Sequence, residues 1–192
     1  MGKVVVTEFV SLDGVMEDPG GAESFEHGGW TFKFEQGDDG AQFKLDETLA
    51  ADALLLGRVT YEGFAAAWPT MTDTGEFGEK MNGMPKYVVS TTLDKAEWNN
   101  STVIRDNVVD EVSGLKQRHG GDILVAGSAK LIRTLMEHDL VDEYRLMVFP
   151  IVLGSGKRLF EEGSKTTTLR LVEAKPVGPD GIVIQTYEPK RG

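Results

Sequence analysis

Along the chain, short runs of β-branched and aliphatic residues alternate with stretches whose apolar positions recur at helical spacing. Lys3–Val10 reads as a buried strand, and Ala53–Leu56 as a second one that runs into Gly57. Val59–Ala67 then reads as a helix stopped by Pro69. Lys86–Ser90 and Thr102–Ile104 are further strands. Asn107–His119 carries Val108, Val109, Val112 and Leu115 at helical spacing and ends at Gly120-Gly121. Asp122–Ala126 is a strand leading into Gly127. Ser128–Glu137 follows as a helix with Leu131, Ile132, Leu135 and Met136 inward. Tyr144–Pro150 is a strand, and Leu169–Val177 with Ile182–Tyr187 forms an antiparallel pair turning at Pro179-Asp180-Gly181. Ala41–Ala51 is a short helix. Ser11–Asp39 and Thr70–Pro85 read as loops, the first long enough to be a functional lid or a poorly ordered segment. This alternation predicts a three-layer α/β domain, its mainly parallel sheet finished by an antiparallel C-terminal ribbon.

A length of 192 residues fits a single domain over 1–192 better than two small ones. Acidic residues exceed basic ones, 31 against 20, for a net charge of −11. Such a surface disfavours nucleic acid and anionic membrane, so an anionic ligand would need a local cluster of positive groups. The absence of cysteine from the sequence removes disulfides, thiolate metal sites and cysteine nucleophiles, and agrees with a cytoplasmic location. No apolar run approaches the roughly 18 residues of a membrane span. The first residues lack a signal-peptide pattern, and Gly2 reads as the approach to a buried strand. His27, His119 and His138 lack ligand spacing, so no metal is expected.

Three junctions place small or hydroxyl residues just past a strand's C-terminal end, where open α/β sheets bind ligands. In Leu56-Gly57-Arg58-Val59-Thr60, Gly57 permits a tight turn, Arg58 adds a planar cation and Thr60 a hydroxyl. Val89-Ser90-Thr91-Thr92 offers three hydroxyls that can bind a phosphate or cap a turn. Val125-Ala126-Gly127-Ser128-Ala129-Lys130-Leu131 brings free amides, a hydroxyl and a cation to the positive end of a helix, or else caps a core helix. Together the three suit a dinucleotide with an extra phosphate, and Arg58 with Lys130 tips the preference toward NADPH over NADH. Gly154-Ser155-Gly156-Lys157 lacks the spacing of a nucleotide-hydrolase phosphate loop and reads as a tight turn.

These residues resemble a known family. Ser11-Leu12-Asp13-Gly14-Val15 is similar to the opening of the reductase domain of riboflavin biosynthesis, the RibD C-terminal domain. Leu56-Gly57-Arg58-Val59-Thr60-Tyr61, Val89-Ser90-Thr91 and Val125-Ala126-Gly127-Ser128-Ala129 resemble dihydrofolate reductase motifs. Phe149-Pro150-Ile151-Val152-Leu153-Gly154-Ser155-Gly156 resembles the riboflavin type. The resemblance runs from Met1 to about Tyr187. It implies a dihydrofolate-reductase-like fold with an eight-stranded, mostly parallel sheet, NADPH across the strand ends, and commonly a homodimer. It implies that Gly57, Arg58 and Thr60 face the cofactor phosphates, and that Ser90 and Thr91 hold the adenosine-side phosphate with Lys130 nearby. Gly127, Ser128, Ala129 and Leu131 would cradle the pyrophosphate, and Gly14 and Val15 would border the nicotinamide. The implied activity is hydride transfer to a small heterocycle or imine, similar to the 5-amino-6-(5-phosphoribosylamino)uracil reductase of riboflavin biosynthesis. Asp13 either contacts substrate and handles a proton or shapes the turn before Gly14.

The departures bear on the substrate. A gap-free count back from Gly57 puts Ala41 where dihydrofolate reductases carry a carboxylate, with Asp39 and Asp46 as neighbours. Pro85 stands where the folate-tail arginine falls. No zinc deaminase domain fits in the chain. The alternative function is a dinucleotide- or ligand-binding protein of the same fold without turnover, and a third is a purely structural dimer module.

Overall fold

The computed structural model describes residues 1–191, and their strands form one eight-stranded sheet. The strands are β1 (Val4–Ser11), β2 (Ala51–Gly57), β3 (Lys86–Val89), β4 (Ser101–Ile104), β5 (Asp122–Val125), β6 (Glu143–Phe149), β7 (Leu169–Val177) and β8 (Ile182–Pro189). Their order is β4-β3-β2-β5-β1-β6-β8-β7. β1 through β6 run parallel, while β8 pairs antiparallel with β6 and β7 antiparallel with β8. The helices are α1 (Gly37–Ala50), α2 (Arg58–Ala67), α3 (Gly75–Gly83), α4 (Val108–Arg118) and α5 (Ala129–Glu137). This is the mostly parallel, three-layer architecture with an antiparallel C-terminal ribbon that the sequence pattern predicts.

Both faces of the central strands are covered, which is why they read as nearly continuous apolar runs. Val4, Val6 and Val10 of β1 join Ile123 and Val125 against α4 and α5. Val5 points the other way, with Leu54, Leu56 and Leu124, against Tyr61 of α2 and Met81 of α3. On α5, Leu131, Ile132, Leu135 and Met136 are all no more than 7% exposed. Each such buried side chain is worth about 1.5–3 kcal/mol, so α5 is firmly docked and the turn that feeds it is fixed. Among the described residues no helix is long and apolar enough to cross a membrane.

Three local readings need correction. Residues 75–83 of the expected Thr70–Pro85 loop form α3. Gly75, Gly78 and Gly83 hide it from propensity, but Phe77 stacks 5.2 Å from Trp68 and Met81 is buried, so packing overrides the glycines. α1 begins at Gly37 rather than Ala41, because Asp38 and Asp39 suit the positive end of a helix. The Ser11–Asp39 segment is docked rather than loose. Trp30, in a short 3₁₀ turn, is fully buried, meets Phe149 edge-on at 5.4 Å, and donates its indole N–H to the Glu17 carbonyl at 2.9 Å.

Candidate functional site at the strand ends

The C-terminal ends of the parallel strands form one rim. β5 lies between β2 and β1, so the turns leaving β2 and β5 stand side by side where the connections reverse direction. Ser128 ties them together. Its Oγ accepts the Gly57 N–H at 2.8 Å and donates to Thr60 Oγ1 at 3.1 Å. Gly127 has φ +59°, and a Cβ there would lie 2.4 Å from Thr60 Oγ1. Only glycine suits this position, on conformation and on space. Ser128 is itself left-handed at φ 62°, a strained state held by its two bonds to the β2–α2 junction. With its hydroxyl turned toward β2, no side chain caps α5. The first-turn amides of Ala129, Lys130 and Leu131 are therefore left for a ligand at the positive end of the helix. A close-packed glycine turn beside an uncapped helix fits the diphosphate of a dinucleotide.

The residues expected on the phosphate side are more dispersed. Arg58 follows Gly57 directly, is exposed, and pairs with Glu62 at 3.0 Å one turn along α2. It borders an open cavity of about 720 Å³ with Thr92 and Lys95, where Asp94 and Glu97 also contribute negative charge. Thr91 is exposed, and so is Lys130 on the first turn of α5. Ser90 is buried, and its Oγ accepts the N–H groups of Thr92 at 3.2 Å and Leu93 at 3.0 Å. Of the two uses open to that hydroxyl in the sequence, the structure shows turn capping.

Asp13 clamps two loops. It accepts the Ser11 hydroxyl at 2.6 Å and the N–H groups of Leu153 at 3.1 Å and Gly154 at 2.8 Å. Burial disfavours its charge, but the Ser11 hydroxyl and the Gly154 and Leu153 amides outweigh this and hold its pKa down to about 2. Ser11 Oγ also accepts the Val15 N–H at 2.9 Å, Gly14 turns at φ +82°, and Val15 is fully buried beside Arg158. A carboxylate so committed has no proton to give at neutral pH, so the geometry favours turn shaping over proton handling. Asp13→Asn is expected to cost about 1–2 kcal/mol near pH 7 by urea unfolding, because an amide N–H₂ must face donors. The folded pKa is depressed, so this contribution is present above the ordinary 3.8 and lost as pH falls toward 2. The gap between the two proteins should close over that interval.

Three residues that motif reading passes over meet at the middle of β1, and a fourth lies behind them on the other face of the strand. Thr7 donates its hydroxyl to Glu47 Oε2 at 2.9 Å, and Lys44 Nζ donates to Thr7 Oγ1 at 2.8 Å and to Glu47 Oε2 at 2.6 Å. Lys44 also lies 5.3 Å from the centre of the Phe9 ring, and its side chain is 20% exposed against 2% for Glu47. It stands one turn beyond the exposed Ala41, on the face of α1 that covers β1. On the opposite face of the strand, Glu8 is buried among the apolar set of Val6 and Val10, and its Oε1 has no hydrogen-bond partner. Burial pushes the Glu8 carboxyl well above the usual range, with Lys44 and the Gly127 amide offsetting part of the effect and Glu47 adding to it. The one signal in the sequence was Thr7-Glu8, two polar residues inside an otherwise apolar strand. Among the described residues no group of three or more acidic or histidine side chains is placed to hold a metal.

The fold and this rim define an α/β protein of the dihydrofolate-reductase-like class. A family profile described as the RibD C-terminal domain matches residues 2–183, and the chain belongs to that family. It is 33% identical over 177 residues to the uncharacterised protein YwjB of Bacillus subtilis (strain 168), covering 92% of each chain. Its fold is similar to that of a protein from Shewanella sp. PV-4 assigned to riboflavin biosynthesis. The TM-score is 0.73 at 22% identity, over 98% of this chain and 99% of that one. It is also similar to dihydrofolate reductase from Enterococcus faecalis, solved with NADP(H), with a TM-score of 0.63 at 16% identity, over 98% and 97% of the two chains.

Proposed function

We propose that the chain is a single-domain cytoplasmic reductase that uses NADPH to reduce a small heterocyclic or imine substrate. The observation that carries the reading is the Gly57–Ser128–Gly127 junction beside the uncapped start of α5. The Enterococcus enzyme, with NADP(H) bound on the same fold, supports it. Gly127, Ser128, Ala129 and Leu131 would hold the pyrophosphate, with Gly57, Arg58 and Thr60 along the phosphates. Thr91, Lys130 and the Ser90 turn would take the adenosine-side phosphate, and Gly14 and Val15 the edge of the nicotinamide. When bound, the cofactor supplies the hydride. The protein's part is to orient the partners, exclude water and supply a proton.

On the substrate side the group in place is a cation. Lys44, held by Glu47 and Thr7, suits a carbonyl or anionic substituent and can deliver a proton to a ring or imine nitrogen. With Ala41 and Pro85 at the two folate-recognition positions, a pyrimidine-like or imine substrate fits better than a folate. The missing carboxylate is also what favours the second reading, a protein that binds the dinucleotide without turnover. A homodimer would use the edge strand β7, where Leu171 and Val172 are 52% and 49% exposed beside a bulge.

Calorimetry is expected to show saturable binding of NADPH, tighter than NADH, and no heat with either would overturn the proposal. NADPH oxidation with pyrimidine, pterin and imine substrates separates the two readings, since binding without turnover on any of them favours the second. Lys130→Glu should weaken NADPH about tenfold, roughly 1.4 kcal/mol, with a smaller effect on NADH. Equal losses would refute the adenosine-side assignment.

A further inference from the structure

Glu8 occupies a position that the β1 pattern reserves for an apolar side chain. Val4, Val6 and Val10 share its face and pack against α4 and α5, yet Glu8 is an acid, only 7% exposed. Its Oε1 is orphaned, and the parallel register that pairs Val6 with Val125 brings Glu8 level with Gly127, the residue at the centre of the β5–α5 turn. The charged groups that act on it are Lys44 and Glu47, both on α1 across the sheet and of opposite sign. From the β5 side the Gly127 amide acts on it, its register partner on β6 is the apolar Leu146, and the buried layer around it holds Tyr144 besides aliphatic residues. An unpartnered acid is costly in an apolar layer, and such groups gather at functional sites.

We propose that Glu8 is a positioning residue of the dinucleotide site. Its carboxyl, set beneath the Gly127 turn, must keep its proton for the turn to receive a diphosphate. The inference rests on the reductase reading above. An ionised Glu8 draws the Gly127 N–H toward itself and places a negative charge directly under the anion-binding turn. A neutral one leaves the turn and the open end of α5 positive. Binding of the dinucleotide and loss of the Glu8 proton therefore exclude one another. The proton is released to or taken from solvent, and no other bond changes.

The folded-state pKa of Glu8 is raised, so affinity is full at low pH and declines as pH rises through that value. The decline approaches about tenfold per pH unit, the limit for one linked proton. NADPH and NADH should weaken in parallel, because they share the diphosphate. Lys86, drawn down to about 8, titrates within the range scanned but is common to wild type and variant.

The test is fluorescence titration of the full chain with NADPH and NADH from about pH 6 to pH 10, in wild type and Glu8→Gln, scored against that one-proton limit. Expected is a flat profile for E8Q against a falling one for wild type. Calorimetry of wild type in two alkaline buffers of different ionisation heat should show uptake of up to one proton per nucleotide. This second measurement decides the matter if the variant fails to fold. Equal slopes in both proteins, or zero proton uptake, would overturn the inference and leave the cofactor reading standing. Loss confined to NADPH would move the effect to the adenosine-side phosphate and also overturn it. No binding of either nucleotide at any pH would remove the cofactor reading itself, and the inference with it.

Discussion

Replacing Lys86 with methionine is expected to cost about 3 kcal/mol or more, because it strips three carbonyls of a buried donor. Lys86 opens β3 and is 0% exposed. Its Nζ donates to the carbonyls of Asn82 at 2.8 Å, Met84 at 2.9 Å and Asn99 at 3.0 Å, and lies 4.1 Å from the centre of the Trp98 ring. Those contacts join the end of α3 to the segment that returns to β4. Trp98 adds an indole N–H to Asn82 Oδ1 at 2.9 Å, and its backbone N–H reaches the Tyr61 hydroxyl at 2.9 Å. Methionine nearly matches the volume of the lysine stem, so the loss is polar rather than a cavity. The pH dependence distinguishes this from general destabilisation. Burial draws the folded pKa of Lys86 to about 8, below the ordinary 10.5. Between those values the unfolded chain binds more protons, so wild type gains stability as pH rises through the interval. The methionine variant lacks that gain. Urea unfolding near pH 7 and near pH 10 reads both effects. A variant as stable as wild type near neutral pH would show that the three carbonyls do not depend on Lys86, and one with the same rise would show that another group titrates.

The sheet was legible because its strands are buried on both faces and its helices carry compact apolar stripes. Val4 to Val10, Ile123 to Val125 and Leu131 to Met136 announce their elements without help from distant contacts. α3 was not legible, since three glycines erase its propensity and only packing of Phe77 and Met81 restores it. The same division holds at the rim. A glycine after an apolar strand is a local signal, and Gly57 and Gly127 were found by it. That Ser128 spends its hydroxyl on Gly57, 71 positions away, is a fact of tertiary structure, as is the meeting of Thr7 with Lys44 and Glu47, 37 and 40 positions distant. Asp13 shows the opposite limit. A motif marked it as notable, but its charge is spent on the amides of Leu153 and Gly154, which no local reading could place beside it.

Gly127→Ala is expected to weaken NADPH about 100-fold, roughly 2.7 kcal/mol, with the fold retained. Two separable effects add up to this. An alanine disfavours the left-handed conformation at φ +59° by about 1–2 kcal/mol, so the free turn relaxes out of it and binding must restore it. Its Cβ would also meet Thr60 at 2.4 Å from Oγ1 and 2.9 Å from Cγ2, so Thr60 must move. Thr60 accepts the Ser128 hydroxyl, and Ser128 holds Gly57, so the displacement spreads through every residue of the junction. The second effect can be removed without touching the first. In a Thr60→Ala background Oγ1 and Cγ2 are gone, and the nearest atom of the side chain is Cβ at 3.2 Å, a tight but bearable contact. There the glycine replacement should cost only about tenfold, the backbone share of the penalty. Fluorescence titration of NADPH on the wild type, the two single variants and the double variant completes the cycle. A coupling of about tenfold places the diphosphate at the Thr60–Gly127 contact, while equal losses in both backgrounds would show that the turn is read by its backbone alone.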